Sequence, residues 1–172
     1  DGWNDLANGK GTNYTATADL LGLPNIFMRF KAADYNTSTK VWADSSGNGR
    51  DSIATRGTPI KASSGADNGL SKDFTTIQGA TTAGIKFNNP KLSAYTLCYV
   101  ARYAGNNRNR MIDTAAENWL SGFWNDAAGV AHHGGWITPS STVTNDRSWH
   151  IICDSGDNLR DGGVAKNNAT TT

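Results

Sequence analysis

Glutamate is almost missing from this chain: Glu117 is the only one among 172 residues. Exposed helix faces lean on Glu and Lys, so this scarcity argues against a helical domain. Charge as a whole is thin, at 18% of residues, and it balances to +1. No field of one sign is available to recruit nucleic acid or an anionic membrane. No apolar run reaches the roughly 18 residues that a membrane-spanning helix requires, so no membrane span is expected. Neither a Gly-x-Ser-x-Gly elbow nor a phosphate-binding P-loop occurs, which removes two common routes to hydrolase or nucleotide chemistry.

Gly, Asn, Thr and Ser fill the gap, a composition of short strands and many turns. Six Trp, five Tyr and five Phe suffice to seed a core, so the polarity does not signal disorder. The length suits one domain. Residues 1–25 lack periodicity and read as an N-terminal arm or linker, with the domain proper over residues 26–172. The chain starts at Asp1 rather than Met, which fits either removal of a signal peptide or an excerpt of a longer protein.

Strand signals follow one another at short spacing. Residues 26–32 read as the first strand, 40–42 as the next, and 52–62 as extended with Pro59 at an edge or strand end. Residues 74–78 and 83–87 are further short strands. Residues 95–101 form the most apolar run, which suggests burial on both faces. Residues 110–113, 119–124, 129–133, 136–138 and 148–153 continue the pattern, and Asn125-Asp126 sits where a hairpin turn belongs. Regular spacing of this kind indicates an all-β antiparallel sandwich.

The densest turn chemistry lies at residues 41–51, Val-Trp-Ala-Asp-Ser-Ser-Gly-Asn-Gly-Arg-Asp. Gly47 and Gly49 can take positive φ without steric cost. Asp44, Ser45, Ser46 and Asn48 can bond their own backbone. The reading is a tight, self-bonded loop. Oxygens of Asp44, Asn48 and Asp51 could also serve a calcium ion, the one cofactor that enters consideration.

Cys98 and Cys153 each lie in an apolar strand-like run. Two readings stand side by side: buried free thiols, or a disulfide formed in an oxidising compartment. Glycosylation sequons occur at Asn13, Asn36 and Asn168, each in a polar stretch, and together they favour an extracellular or surface-exposed glycoprotein. His132 and His133 are adjacent, so on a strand they point to opposite faces and do not readily share a site.

The order of these segments resembles the LamG-like jelly-roll branch of the concanavalin A-like lectin/glucanase superfamily. The resemblance rests on the loop at residues 42–50, the strand Tyr-Thr-Leu-Cys-Tyr-Val-Ala-Arg at 95–102, Arg-Met-Ile-Asp at 110–113, Asn-Trp-Leu-Ser-Gly-Phe-Trp at 118–124, and Trp149-His150. It implies a jelly roll. Family members continue with strands that close the sheet, whereas here residues 167–172 follow soon after a hairpin-like segment. The resemblance therefore implies a sandwich that lacks its closing strands or is completed by a neighbouring subunit. Glucanases of the superfamily work through two carboxyls about 5–5.5 Å apart. With Glu117 alone, and no Asp-x-Asp pair on a strand, that motif is absent, so no enzyme is expected.

Sugar sites pair aromatic platforms with amide and carboxylate hydrogen bonders. Trp124, Asn125, Asp126, His133 and Trp136 have this chemistry and are the candidate ligand residues. Arg102, Arg108 and Arg110, among Asn106, Asn107 and Asn109, read as a solvated hairpin tip that could contact acidic sugars. The functional expectation is a carbohydrate-binding or adhesion module with glycans as partners. The alternative is a structural subunit of a glycosylated fibre or virus particle that assembles with copies of itself.

Overall fold

The structure is a computed structural model, and it describes residues 26–64, 73–87, 94–106, 108–114, 117–140 and 145–167. The expected arm at residues 1–25 lies outside them, as do Asn13, Asn107 and Asn168. Among the described residues the chain is nearly all β, and every strand pairing is antiparallel. One short 3-10 turn, Ala32–Asp34, precedes the strands.

In chain order the strands are β1 (Tyr35–Asn36), β2 (Val41–Trp42), β3 (Ser52–Arg56), β4 (Ile60–Ser64), β5 (Phe74–Gln78), β6 (Gly84–Phe87), β7 (Leu97–Ala101), β8 (Ile112–Asp113), β9 (Trp119–Trp124), β10 (Ala127–His133), β11 (His150–Asp154), β12 (Leu159–Asp161) and β13 (Val164–Ala165). Three two-stranded ribbons, β1-β2, β3-β6 and β4-β5, accompany a three-stranded sheet β10-β9-β8 and a four-stranded sheet β13-β12-β11-β7.

The last two sheets carry the main core. Phe123, Ala128 and Ala131 from β9 and β10 pack with Ile152 and Leu159 from β11 and β12, with Tyr103 closing one side. Period-two alternation explains the choice of residues. On β11 His150, Ile152 and Asp154 are buried, while Ile151 and Cys153 are partly open. A second apolar group, Leu120, Ala127 and Val130, lies apart from that core with Trp124 against it. Both faces of the β9–β10 hairpin are therefore buried, which its nearly continuous small and apolar composition permits.

One contact sets the spacing of the two sheets. The Tyr99 hydroxyl crosses from β7 and donates to the Ser121 carbonyl at 2.8 Å. It passes over Gly122, where a Cβ would stand 2.1 Å from the hydroxyl oxygen, and Gly122 itself holds φ +78°. Both the space and the backbone conformation exclude a side chain. Burial pushes the Tyr99 hydroxyl above its ordinary range, with the nearby carboxylates of Asp154 and Asp161 adding to the effect.

Three expectations change, and one open question is resolved. Residues 26–31 do not pair as a strand; they run as irregular chain before the 3-10 turn. β7 is not buried on both faces, because Cys98 is exposed and Val100 is 53% exposed. Residues 136–138 contribute only an isolated bridge between Trp136 and His132. The cysteines are not free: Cys98 and Cys153 are directly opposite partners of β7 and β11 and are joined by a disulfide. Closing a loop of this sequence separation, 55 residues, is worth about 4 kcal/mol by the chain-entropy argument.

Gly122→Ala should lower the unfolding free energy by about 3 kcal/mol, since it adds both a strained φ and an overlap with Tyr99. Urea denaturation checks this, and Gly122→Ala combined with Tyr99→Phe should recover part of the loss by removing the clashing oxygen.

Candidate functional site

The loop at residues 44–51 does close on itself, and it also binds the preceding chain. Asp44 Oδ1 accepts the backbone N–H groups of Arg29 and Ser46, each at 2.9 Å, and Oδ2 accepts the Ser46 hydroxyl at 2.8 Å and the Arg50 N–H at 3.1 Å. Asn48 Nδ2 donates to the carbonyls of Ile26 and Phe27 at 2.8 and 3.2 Å, and Asp51 Oδ1 accepts the Asp44 N–H at 2.8 Å. Residues 26–31 are thus held by the loop in place of a neighbouring strand. Burial works against the Asp44 carboxylate, but the four donors outweigh it and hold the group at about 2. Its contribution is present above pH 3.8 and is lost as pH falls through about 2. The oxygens of Asp44 and Asp51 considered for calcium are engaged by these donors, and among the described residues no group of three or more His, Cys, Asp or Glu gathers to hold a metal.

The five candidate ligand residues separate to opposite ends of the β9–β10 hairpin. Trp124, Asn125 and Asp126 lie at its turn; His133 and Trp136 lie at its open end. At about 3.3 Å per residue the two groups stand about 20 Å apart, too far for one small ligand. The structure thus places the five candidates in two separate regions, for the plain reason that the hairpin is extended.

At the open end His133 points inward. Its Nε2 lies 3.0 Å from Asp154 Oδ2 and its Nδ1 2.5 Å from the Gly156 carbonyl, and its ring stacks on Trp119 at 5.0 Å and 11°. Asp154 is fully buried and also accepts the Gly156 N–H at 3.0 Å and the Tyr95 hydroxyl at 3.3 Å. Burial, together with the Asp154 charge, raises the Tyr95 hydroxyl to about 12. His132 faces the other way, bonding the Asn118 carbonyl at 2.8 Å and meeting Trp136 edge-on. The opposed orientations follow the strand geometry expected for adjacent residues. Trp136 is 36% exposed.

At the turn end two sequence-distant groups meet. Asn125 and Asp126 occupy the two-residue turn with φ +45° and +74°, the left-handed pair that a type I′ hairpin requires. The Asp126 N–H donates to the Arg108 carbonyl at 3.1 Å, and the Asp126 carboxylate pairs with the Arg108 guanidinium. Asn145 donates its N–H to the Asp126 carbonyl at 3.3 Å, and Arg147 reaches the Gly105 carbonyl and Asn106 Oδ1. Between these loops opens a cleft of about 280 Å³ lined by Thr81, Asn106, Arg108, Asn109, Asn125 and Asp126. Among the described residues the walls are amide, guanidinium, carboxylate and hydroxyl, with no aromatic side chain. Trp124 does not line it: the residue is half-buried, and the Arg110 guanidinium lies 5.1 Å over its ring while bonding Asn118 Oδ1 at 2.6 Å. Thr81 carried no signal in the sequence, because only the tertiary fold brings it to the turn.

A further cluster, also without a sequence signal, surrounds His150. Asp161 Oδ2 on β12 lies 2.8 Å from its Nδ1, and Asp146 Oδ2 lies 3.4 Å from its Nε2. The ring meets Phe123 edge-on in the core. The hydrogen bond to Asp161 raises the His150 pKa; burial opposes this, and the charges of Asp161 and Asp146 add to the rise. Asn36 is exposed, and its Oδ1 accepts the N–H groups of Ser38 and Thr39 at 2.9 Å each, so this sequon sits at an open turn.

No family model, curated protein or solved structure matches this chain.

Because the folded-state pKa of His150 is raised above 6.5, its contribution is full below pH 6.5 and is lost as pH rises through the folded value. Unfolding free energies measured from pH 5 to 9 should fall across that upper window. His150→Gln should lose about 1–3 kcal/mol at pH 6 and show a flatter profile; an unchanged slope would contradict the assignment.

Proposed function

We propose that the chain is a non-catalytic, extracellular binding module of the LamG-like jelly-roll type, and that it takes a carbohydrate in the cleft beside Asn125. The observation that carries this reading is the lining of the cleft. Three amides, a hydroxyl and a mutually neutralised Arg108–Asp126 pair offer donors and acceptors together without net charge. Neutral sugar hydroxyls, which both donate and accept, match such a wall better than an anion would. The rigid type I′ turn and its clamping loops limit the ordering cost of binding. The packing of a four-stranded on a three-stranded antiparallel sheet is compatible with a sandwich. The Cys98–Cys153 disulfide and the open sequon at Asn36 agree with an oxidising, glycosylating compartment. Support for a non-catalytic role comes from His133 and His150, whose ring nitrogens face acids and a carbonyl inside the fold.

A glycan array read with the full chain, followed by titration of the best hit, tests the proposal. Asn125→Gly, which removes the amide but keeps the positive φ of the turn, should weaken binding at least tenfold, about 1.4 kcal/mol, with thermal stability little changed. An array without a hit, or equal affinity of the variant, would remove it.

One observation favours the second reading, a structural subunit that exchanges strands with its neighbours. β13 forms an edge of the four-stranded sheet, and Val164 on it is 61% exposed, an edge that another strand could extend. Sedimentation velocity should then show assembly that Val164→Lys abolishes; a monomer at millimolar concentration rules it out.

A further inference from the structure

The geometry points to Cys98–Cys153 as a surface disulfide that exchanges with external dithiols while the domain stays folded, with Cys98 Sγ the attacked atom and Cys153 Sγ the leaving group. Strand alternation places the bond on the outer face of the four-stranded sheet, away from the core that Tyr99 and Ile152 enter. Cys98 is exposed and Cys153 only partly so, and an attacking thiolate needs a clear approach to the sulfur it takes. The partner of Cys153 on its other side is Arg160. Cross-strand partners share a face with Cβ atoms about 5 Å apart, so the Arg160 side chain leaves β12 on the same outer face as Cys153. Arg160 Nη1 also donates to the Gly163 carbonyl at 2.9 Å, which anchors the side chain at the β12–β13 turn. A cation there favours the Cys153 thiolate, and a better thiolate leaves faster.

Opening the bond does not require the sheet to open. β7 remains paired with β11 from Leu97 to Ala101 and remains tied to β9 through the Tyr99–Ser121 hydrogen bond. In the first step the dithiol's thiolate forms a bond to Cys98 Sγ as the Cys98–Cys153 bond breaks, and the electron pair departs on Cys153 Sγ. In the second step the reagent's other thiolate attacks its own sulfur in the mixed disulfide and releases Cys98 as thiolate. The dithiol is oxidised by two electrons to a cyclic disulfide, and its two protons end on the two cysteines. Because Val100 and Ile151 share this face with the disulfide, the exchange alters an exposed patch and leaves the Asn125 cleft untouched.

The test is reduction of the full chain by millimolar dithiothreitol at neutral pH, quenched with iodoacetamide and read by intact mass, with near-ultraviolet circular dichroism followed in parallel. Reduction should proceed with the dichroism retained and at a rate indifferent to low urea. A single-thiol reagent, glutathione, should leave its adduct on Cys98. Arg160→Met should slow the release of Cys153 severalfold, and Arg160→Lys should restore the rate. Three results would each overturn the proposal: a rate that climbs with urea as global unfolding does, an adduct on Cys153, or an Arg160→Met variant as fast as the parent.

Discussion

The close approach of Tyr99 to Gly122 is the constraint on which the rest of this domain depends. A buried phenol must find a partner for its hydroxyl, and here the partner is a main-chain carbonyl on the opposing sheet. That demand fixes how near the sheets stand and forbids a side chain where they meet. The aromatic core then fills what remains: Phe123 packs against Tyr103 at 5.1 Å and edge-on to His150 at 5.7 Å. Were the two sheets held only by apolar contacts, several registers would bury similar area. A hydrogen bond that must land on the Ser121 carbonyl selects one of them, and the disulfide between β7 and β11 holds the donor strand in place.

Polar groups reinforce the same selection at the margins of the core. Asp154 and Asp161, both toward the inner side of the four-stranded sheet, engage His133 from β10 and His150 from β11. Burying a carboxylate is costly unless its hydrogen bonds are satisfied, and Asp154 has three such contacts, from His133, Tyr95 and Gly156, while Trp119 donates in turn to the Tyr95 hydroxyl. The three orient the carboxylate, and the Trp119 bond extends the network to the stacked Trp119–His133 pair. These clusters explain why histidine occurs three times in a chain poor in charge without gathering into one site: two brace the fold, and the third meets an exposed tryptophan.

What the sequence made legible was local. The β9–β10 hairpin, its Asn125-Asp126 turn, and β5 follow from alternation and turn chemistry that act over a few residues. The self-bonded loop at 44–51 was legible for the same reason, since Asx turns need only neighbours. Reading failed where distant chain decides. Residues 26–31 carry strand-like apolar content, yet Asp44 and Asn48 take their backbone groups, so no ladder forms. The run at 95–101 looked suited to burial on both faces, but the outer positions of the strand it forms are the disulfide-bonded Cys98 and an exposed Val100. The cysteine question stayed open because pairing depends on β7 and β11 being neighbours, a matter of topology and not of spacing. Likewise nothing near Asp161 announces that His150 will face it.

The candidate cleft shows how a site can arise from residues that are individually ordinary. Asn125 and Asp126 are there to adopt positive φ, a structural duty that asparagine and aspartate perform better than most residues. Arg108 is there to neutralise Asp126, and Arg147 to tie down the loop that carries Asn106. Each has a sufficient structural reason, which is why the sequence separates them into a turn and a solvated tip. Brought together, the same side chains leave a wall of unlike donors and acceptors around a space large enough for a small polar ligand. The aromatic residue best placed to complete a sugar platform, Trp124, is instead covered by Arg110. Recognition of the kind proposed for this cleft would therefore have to come from hydrogen bonds, and its specificity from the fixed directions in which a clamped turn presents them.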